Sequence, residues 1–245
     1  LYYNKDLFDK AGLAYPTDDW TWDDMLEAAR KLTVVDEGGR TVQWGLETMG
    51  AWVRMFMPFV NSFGGELISP DGSVFTGYMN SEGTLKALEF YRGLYYGDSA
   101  VVPNTIQTQQ FVGVDMFQAG LTAMKLHGVW FINDYTKTPG LNYGTARIPS
   151  GPNGLYNILA WGGYGINANS ANKDAAWRFY KYLTGREGAL VQATHHFPGY
   201  KDIYEELGWT TDEHYTGFIA GIDAIVQHPE LKNYLYDATG GTAFQ

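Results

Sequence analysis

The 245-residue chain is long enough for one large domain or two small ones, and it carries a net charge of −10 with 17 dispersed lysines and arginines. That charge disfavours a nucleic-acid surface, which draws its affinity from clustered basic residues. The lack of cysteine excludes disulfides, thiolate metal sites and a cysteine nucleophile, and no apolar run nears the roughly 18 residues that span a bilayer.

Residues 1–3 read as the end of a β-strand and residues 4–12 as a short helix stopped by Gly12. Thr21 followed three residues later by Asp24 approximates a capping box, and Met25, Leu26, Ala29 and Leu32 give the helix behind it an apolar face. The acids Asp18, Asp19, Asp23 and Asp24 are explained by capping and solvation at that helix start rather than by a metal site. Residues 42–48 predict a strand, and residues 51–63 predict a helix that Pro58 kinks or restarts. Ser69, Pro70 and the Asp71-Gly72 pair make a turn. Residues 81–96 predict a long helix with Leu85, Leu88, Tyr91, Leu94 and Tyr95 inward and Asn80 or Ser81 as its cap.

Residues 115–119 read as a short helix feeding a strand over 121–126, and residues 143–148 as another strand closed by Pro149 and the turn after it. Residues 164–168 alternate like a strand, and Ser170 is the expected cap of a helix carrying Ala175, Ala176, Phe179, Tyr180 and Leu183. Strands alternating with helices throughout predict an α/β class, with helices layered on a sheet and no internal repeat.

Eight Trp, 18 Tyr and 13 Phe are the notable part of the composition, because Trp and Tyr join a flat apolar face to a polar edge, as a sugar ring does. The segment Phe117-Gln118-Ala119-Gly120-Leu121-Thr122-Ala123-Met124-Lys125-Leu126-His127-Gly128-Val129-Trp130 combines a short amphipathic turn, an apolar strand and a glycine-spaced tryptophan. Three further blocks keep company with it. They are Leu1-Tyr2-Tyr3-Asn4-Lys5-Asp6-Leu7-Phe8 with Thr21-Trp22-Asp23-Asp24, then Arg147-Ile148-Pro149-Ser150-Gly151-Pro152, then Ser170-Ala171-Asn172-Lys173-Asp174-Ala175-Ala176-Trp177-Arg178-Phe179. In type, order and spacing these resemble the bacterial extracellular solute-binding proteins (family 1), the maltose-binding-protein-like receptors of ABC sugar transporters.

The resemblance implies a periplasmic-binding-protein-like (type II) two-lobed α/β fold in which mainly the second lobe is present. Residues 1–160 would form lobe two, with 216–245 returning to it, and 161–215 would be a partial lobe-one segment. In that family the tyrosine-asparagine-lysine block follows most of lobe one, so the chain is expected to lack that part and a C-terminal tail. It further implies an exported monomer outside the cytoplasm, in the periplasm or lipid-anchored at the surface, with a carbohydrate ligand and membrane permease subunits as partners. No cofactor, no metal, no nucleic acid and no catalysis are expected.

By the same resemblance Trp130 is the first platform candidate in the ligand cleft. Trp161 with Gly162 and Gly163 is the second, since adjacent glycines let a ligand approach the backbone closely. Trp52 and Glu47 sit where strand gives way to helix, a place where the family sets an acid or aromatic against the sugar. A glycoside hydrolase is the alternative, for which Glu47, Glu66 and Asp134 are candidate carboxylates that nothing in the sequence pairs. A receptor for a non-sugar ligand is the other. His195-His196 is an adjacent pair, a poor geometry for converging on one metal.

Overall fold

The computed structural model describes residues 1–50, 53–159, 163–193 and 195–225. In chain order the helices and strands are β1 (Tyr2–Asn4), α1 (Lys5–Ala11), α2 (Trp22–Leu32), β2 (Val34–Val35), β3 (Thr41–Glu47), α3 (Val53–Ser62), α4 (Glu82–Tyr95) and α5 (Thr105–Thr108). They continue with β4 (Thr122–Lys125), α6 (Ile132–Thr136), β5 (Tyr143–Thr145), α7 (Lys173–Thr184), α8 (Arg186–Gln192), α9 (Asp202–Glu206) and α10 (Thr216–Ala220).

The strands form one mixed sheet in the order β2-β3-β4-β1-β5. β3 and β4 run parallel, and β1 is antiparallel to both β4 and β5, so β3, β4 and β5 all point the same way. The register lays Glu47, Lys125, Tyr2 and Thr145 in one row across four strands.

Local chemistry accounts for the helix ends. Asn4 caps α1 by accepting from the Leu7 amide, and Gly12 closes it in the left-handed conformation. Thr21 and Asp24 make the reciprocal capping box, placing α2 with Trp22, Met25, Ala29 and Leu32 against the sheet. α2 crosses β3 so closely that a Cβ on Gly45 would lie 1.9 Å from the Ala29 carbonyl oxygen, so only glycine fits there. Trp22 stacks on Phe59 at 4.1 Å and donates its indole N–H to the Ser62 hydroxyl, locking α3 onto the same core. α3 passes through Pro58 as one continuous helix, so of the kink or restart expected there the restart does not occur.

Several sequence expectations shift in register or length. α4 buries Thr84, Ala87 and Leu94, whereas Leu85 and Leu88 face solvent, so the inward stripe is rotated from the one expected. Residues 115–119 form a hydrogen-bonded turn rather than a regular helix, with the Asp115 carboxylate accepting from the Gln118 amide. β5 ends at Thr145, short of the 148 expected, although Ala146 still exchanges backbone hydrogen bonds with Leu1. Residues 164–168 are irregular and mostly exposed, with no ladder partner among the described residues. The N-cap of α7 falls at Asn172, and Ser170 instead accepts from the Asn172 amide in the turn before it. No α7 residue is buried, so the expected inward face over Ala175, Ala176, Phe179, Tyr180 and Leu183 is open.

Candidate functional site

The parallel strands β3 and β4 end at one edge of the sheet, the place where chains of this class collect ligand-binding groups. Glu47 is the last residue of β3 and Lys125 the last of β4, paired in register. The Lys125 ammonium, whose side chain is 4% exposed, lies 3.1 Å from Glu47 Oε1 and 2.8 Å from Asp115 Oδ2. It also faces the Phe131 ring at 4.5 Å. Asp115 Oδ2 accepts in addition from the Tyr135 hydroxyl at 2.8 Å, and Thr122 donates to Glu47 Oε2 at 3.2 Å.

Sharing one cation splits the two acids. Burial raises the Glu47 carboxyl above its ordinary value, and the nearby Lys125 charge only partly offsets it. Burial acts the same way on Asp115, but hydrogen bonds from Lys125, the Gln118 amide and Tyr135 outweigh it and hold that carboxyl below the ordinary range.

Beyond β4 the chain turns through His127 and Gly128 into a short 3₁₀ segment, Val129–Phe131. Tyr2 fixes this turn by donating to the Gly128 carbonyl at 2.8 Å. Trp130 folds back over Gly128, where an added Cβ would fall 1.9 Å from the indole ring, so any side chain there would have to push the indole aside. The His127 ring meets Trp130 edge-on at 5.2 Å and Phe131 at 4.4 Å. Burial, with the Lys125 charge behind it, pulls the imidazole down to about 3. Its Nδ1 accepts from the Gly128 amide at 2.9 Å, which puts the ring proton on Nε2.

The structure thus brings Glu47 and Trp130 to the same edge, linked through Lys125, Phe131 and His127. Gly163 lies in an exposed irregular segment, with no hydrogen bond to either among the described residues. Trp52, Trp161 and Gly162 lie outside the described residues. Sequence reasoning missed Lys125, Asp115 and His127. The available signal was a lysine ending an otherwise apolar strand, since a buried ammonium demands partners.

Residues 1–190 match the family model described as bacterial extracellular solute-binding protein. The chain belongs to that family. A protein of Brucella abortus named as a binding protein is 29% identical over 191 residues, 75% of this chain and 43% of that protein. The erythritol/L-threitol-binding protein of Mycolicibacterium smegmatis is 28% identical over 197 residues, 76% of this chain and 39% of its own. The chain therefore spans less than half the length of either relative.

Among solved structures, an ABC transporter solute-binding protein of Thermotoga lettingae bound with α-D-tagatose superimposes with a TM-score of 0.76 at 26% identity, over 100% of this chain and 63% of that one. Lmo0181 of Listeria monocytogenes, an ABC substrate-binding protein in complex with cycloalternan, gives 0.77 at 24% identity, over 99% and 62%. The fold of this family member is accordingly that of the periplasmic binding proteins.

Proposed function

We propose that the protein carrying this chain is the substrate-binding component of an ABC-type carbohydrate importer, holding a sugar or oligosaccharide between two lobes without chemical change. Family membership supports the receptor role. The observation that carries the carbohydrate reading is the edge of β3 and β4, where the half-buried Trp130 indole stands beside an ordered set of hydrogen-bonding groups centred on Lys125. An aromatic face suits the C–H face of a pyranose, and fixed polar groups suit its hydroxyls. Relatives named for erythritol and L-threitol and for maltooligosaccharide, and the Thermotoga lettingae protein bound with α-D-tagatose, support a polyhydroxylated ligand.

In this reading residues 1–160 and 216–245 belong to one lobe and 161–215 to the other. Trp161, Gly162, Gly163, Trp52 and Glu47 join Trp130 as the proposed ligand contacts. Ligand entry shifts an open–closed equilibrium, and permease subunits read the closed form outside the cytoplasm. The protein acts as a monomer.

Membership of a family of solute-binding proteins supports the non-catalytic reading, and the way the acids are held agrees with it. Glu47 and Asp115 are tied to one shared ammonium, and both Asp115 oxygens are occupied by donors. Glu66 and Asp134 are exposed on other segments.

The test is thermal unfolding of the natural protein containing this chain against a panel of mono- and oligosaccharides. A ligand at a hundred times its dissociation constant adds about 2.7 kcal/mol. Trp130→Ala should weaken that ligand by about tenfold, the scale of one stacking platform. A flat response to every sugar, or glycoside cleavage abolished by Glu47→Gln, would replace this reading.

A further inference from the structure

Arg147 follows β5 by two residues, as His127 follows β4 by two. The register sets Lys125 and Thr145 on either side of Tyr2, so His127 and Arg147 leave the same edge of the sheet. The period-two alternation of strand side chains puts them on one face, because Leu1 still exchanges both hydrogen bonds with Ala146 one step before Arg147. Arg147 therefore stands at the edge that carries Glu47 and Trp130.

Its chemical situation differs from that of its neighbours. Lys125 is neutralised by Glu47 and Asp115. Arg147 is half-buried, its Nε is sealed from solvent without an acceptor, and none of its nitrogens has a hydrogen-bond or ion-pair partner among the described residues. The acids of the packed-on 212–223 segment do not serve it. Asp212 holds His214, Glu213 holds Lys5, and Asp223 is exposed. The arginine stem runs beside Gly221, where an added Cβ would come within 3.8 Å of its Cγ, so the side chain is guided by packing rather than trailing in solvent. The sealed Nε–H is out of a ligand's reach, so contact falls to the terminal Nη groups, which no acid neutralises among the described residues and which together fit a planar anion accepting two hydrogen bonds.

We propose that Arg147 anchors an anionic oxyacid group, a carboxylate or phosphate, on the ligand, so that the sugars this protein prefers are acidic ones. The inference rests on the carbohydrate reading and sharpens it. The net charge of −10 repels anions at long range, so the preference must come from direct contact. Trp130 would take the ring face, His127 Nε2–H and Glu47 the hydroxyls, and Arg147 the charged substituent.

The experiment is calorimetric titration of the natural protein containing this chain with neutral sugars and their matched uronate, aldonate and phosphate forms. At least one acidic form should bind about tenfold or more tightly than its neutral parent, the scale of a charge-assisted pair. Arg147→Gln should erase that difference while leaving the neutral parent within about twofold, and Arg147→Lys should restore part of it. In the unsubstituted protein the Arg147 Nε–H resonance should move on adding the acidic form and stay put with the neutral one, a readout independent of how the variants fold. Sugar binding with no acidic preference, or equal weakening of both forms by Arg147→Gln, would overturn the assignment of Arg147 alone. Failure of every sugar, acidic and neutral, would overturn the carbohydrate reading with it.

Discussion

An ammonium placed almost wholly inside a sheet persists only where opposite charge and hydrogen-bond acceptors surround it. Lys125 meets that condition through Glu47, Asp115 and the Phe131 ring, and in turn it keeps two carboxylates from repelling each other. Lys125→Met removes the cation and leaves both acids partly desolvated. The loss should be about 3 to 5 kcal/mol, as expected for breaking a buried pair, read from urea unfolding at pH 7. A loss near zero would mean the three groups are solvated in solution. His127 gives a second, pH-dependent expectation. Its folded value of about 3 lies below the ordinary 6.5, so the unfolded chain takes up the proton first as pH falls. The stability held by neutral His127 is whole above 6.5 and drains between 6.5 and 3. Between pH 7 and pH 5 the unsubstituted chain should lose up to about 2 kcal/mol that His127→Gln does not lose. Parallel losses in the two proteins would place the imidazole in water.

At the scale of elements, the contact of α2 with β3 is set by one missing Cβ. Gly45→Ala drives a methyl into the Ala29 carbonyl and must push the helix off the strand. Its cost should be about 3 kcal/mol or more by unfolding midpoint. Thr21→Ala, which only unties the cap of the same helix, should cost about 1 kcal/mol. Similar costs for the two would show that α2 adjusts its seat freely. The cap was legible in the sequence because Thr21 and Asp24 lie within one turn, and so was the glycine stop of α1. The face of α4 was not. Leu85, Leu88, Tyr91 and Leu94 fit a helical stripe, yet the stripe through Thr84, Ala87, Tyr91 and Leu94 fits as well, and hydrophobicity alone mis-set the phase. The site divides in the same way. Trp130 and Glu47 could be reached by resemblance to a family. The Lys125 triad could not, because its members come from three segments brought together only by strand order.

For the whole molecule, α7 poses the physical problem left over from folding. Trp177, Phe179 and Tyr182 are 51%, 62% and 48% exposed, Trp177 on one side and Phe179 with Tyr182 on another side of a helix that buries no residue. Among the described residues Trp177 stacks on the Tyr180 ring and has the Lys181 ammonium beside it. Apolar surface of this kind is removed from water by whatever apolar surface is nearest, and in a solution of this chain alone that is another copy. The isolated 245-residue chain should therefore self-associate, with a sedimentation coefficient that rises with concentration. Trp177→Glu combined with Phe179→Glu should return it to monomer. Because both side chains are exposed, the double substitution should leave the unfolding midpoint within about 0.5 kcal/mol per site, which separates loss of association from loss of fold. A chain that stays monomeric at every concentration before substitution would show that α7 is covered in solution by its own sequence, and the search would then turn to which segment covers it.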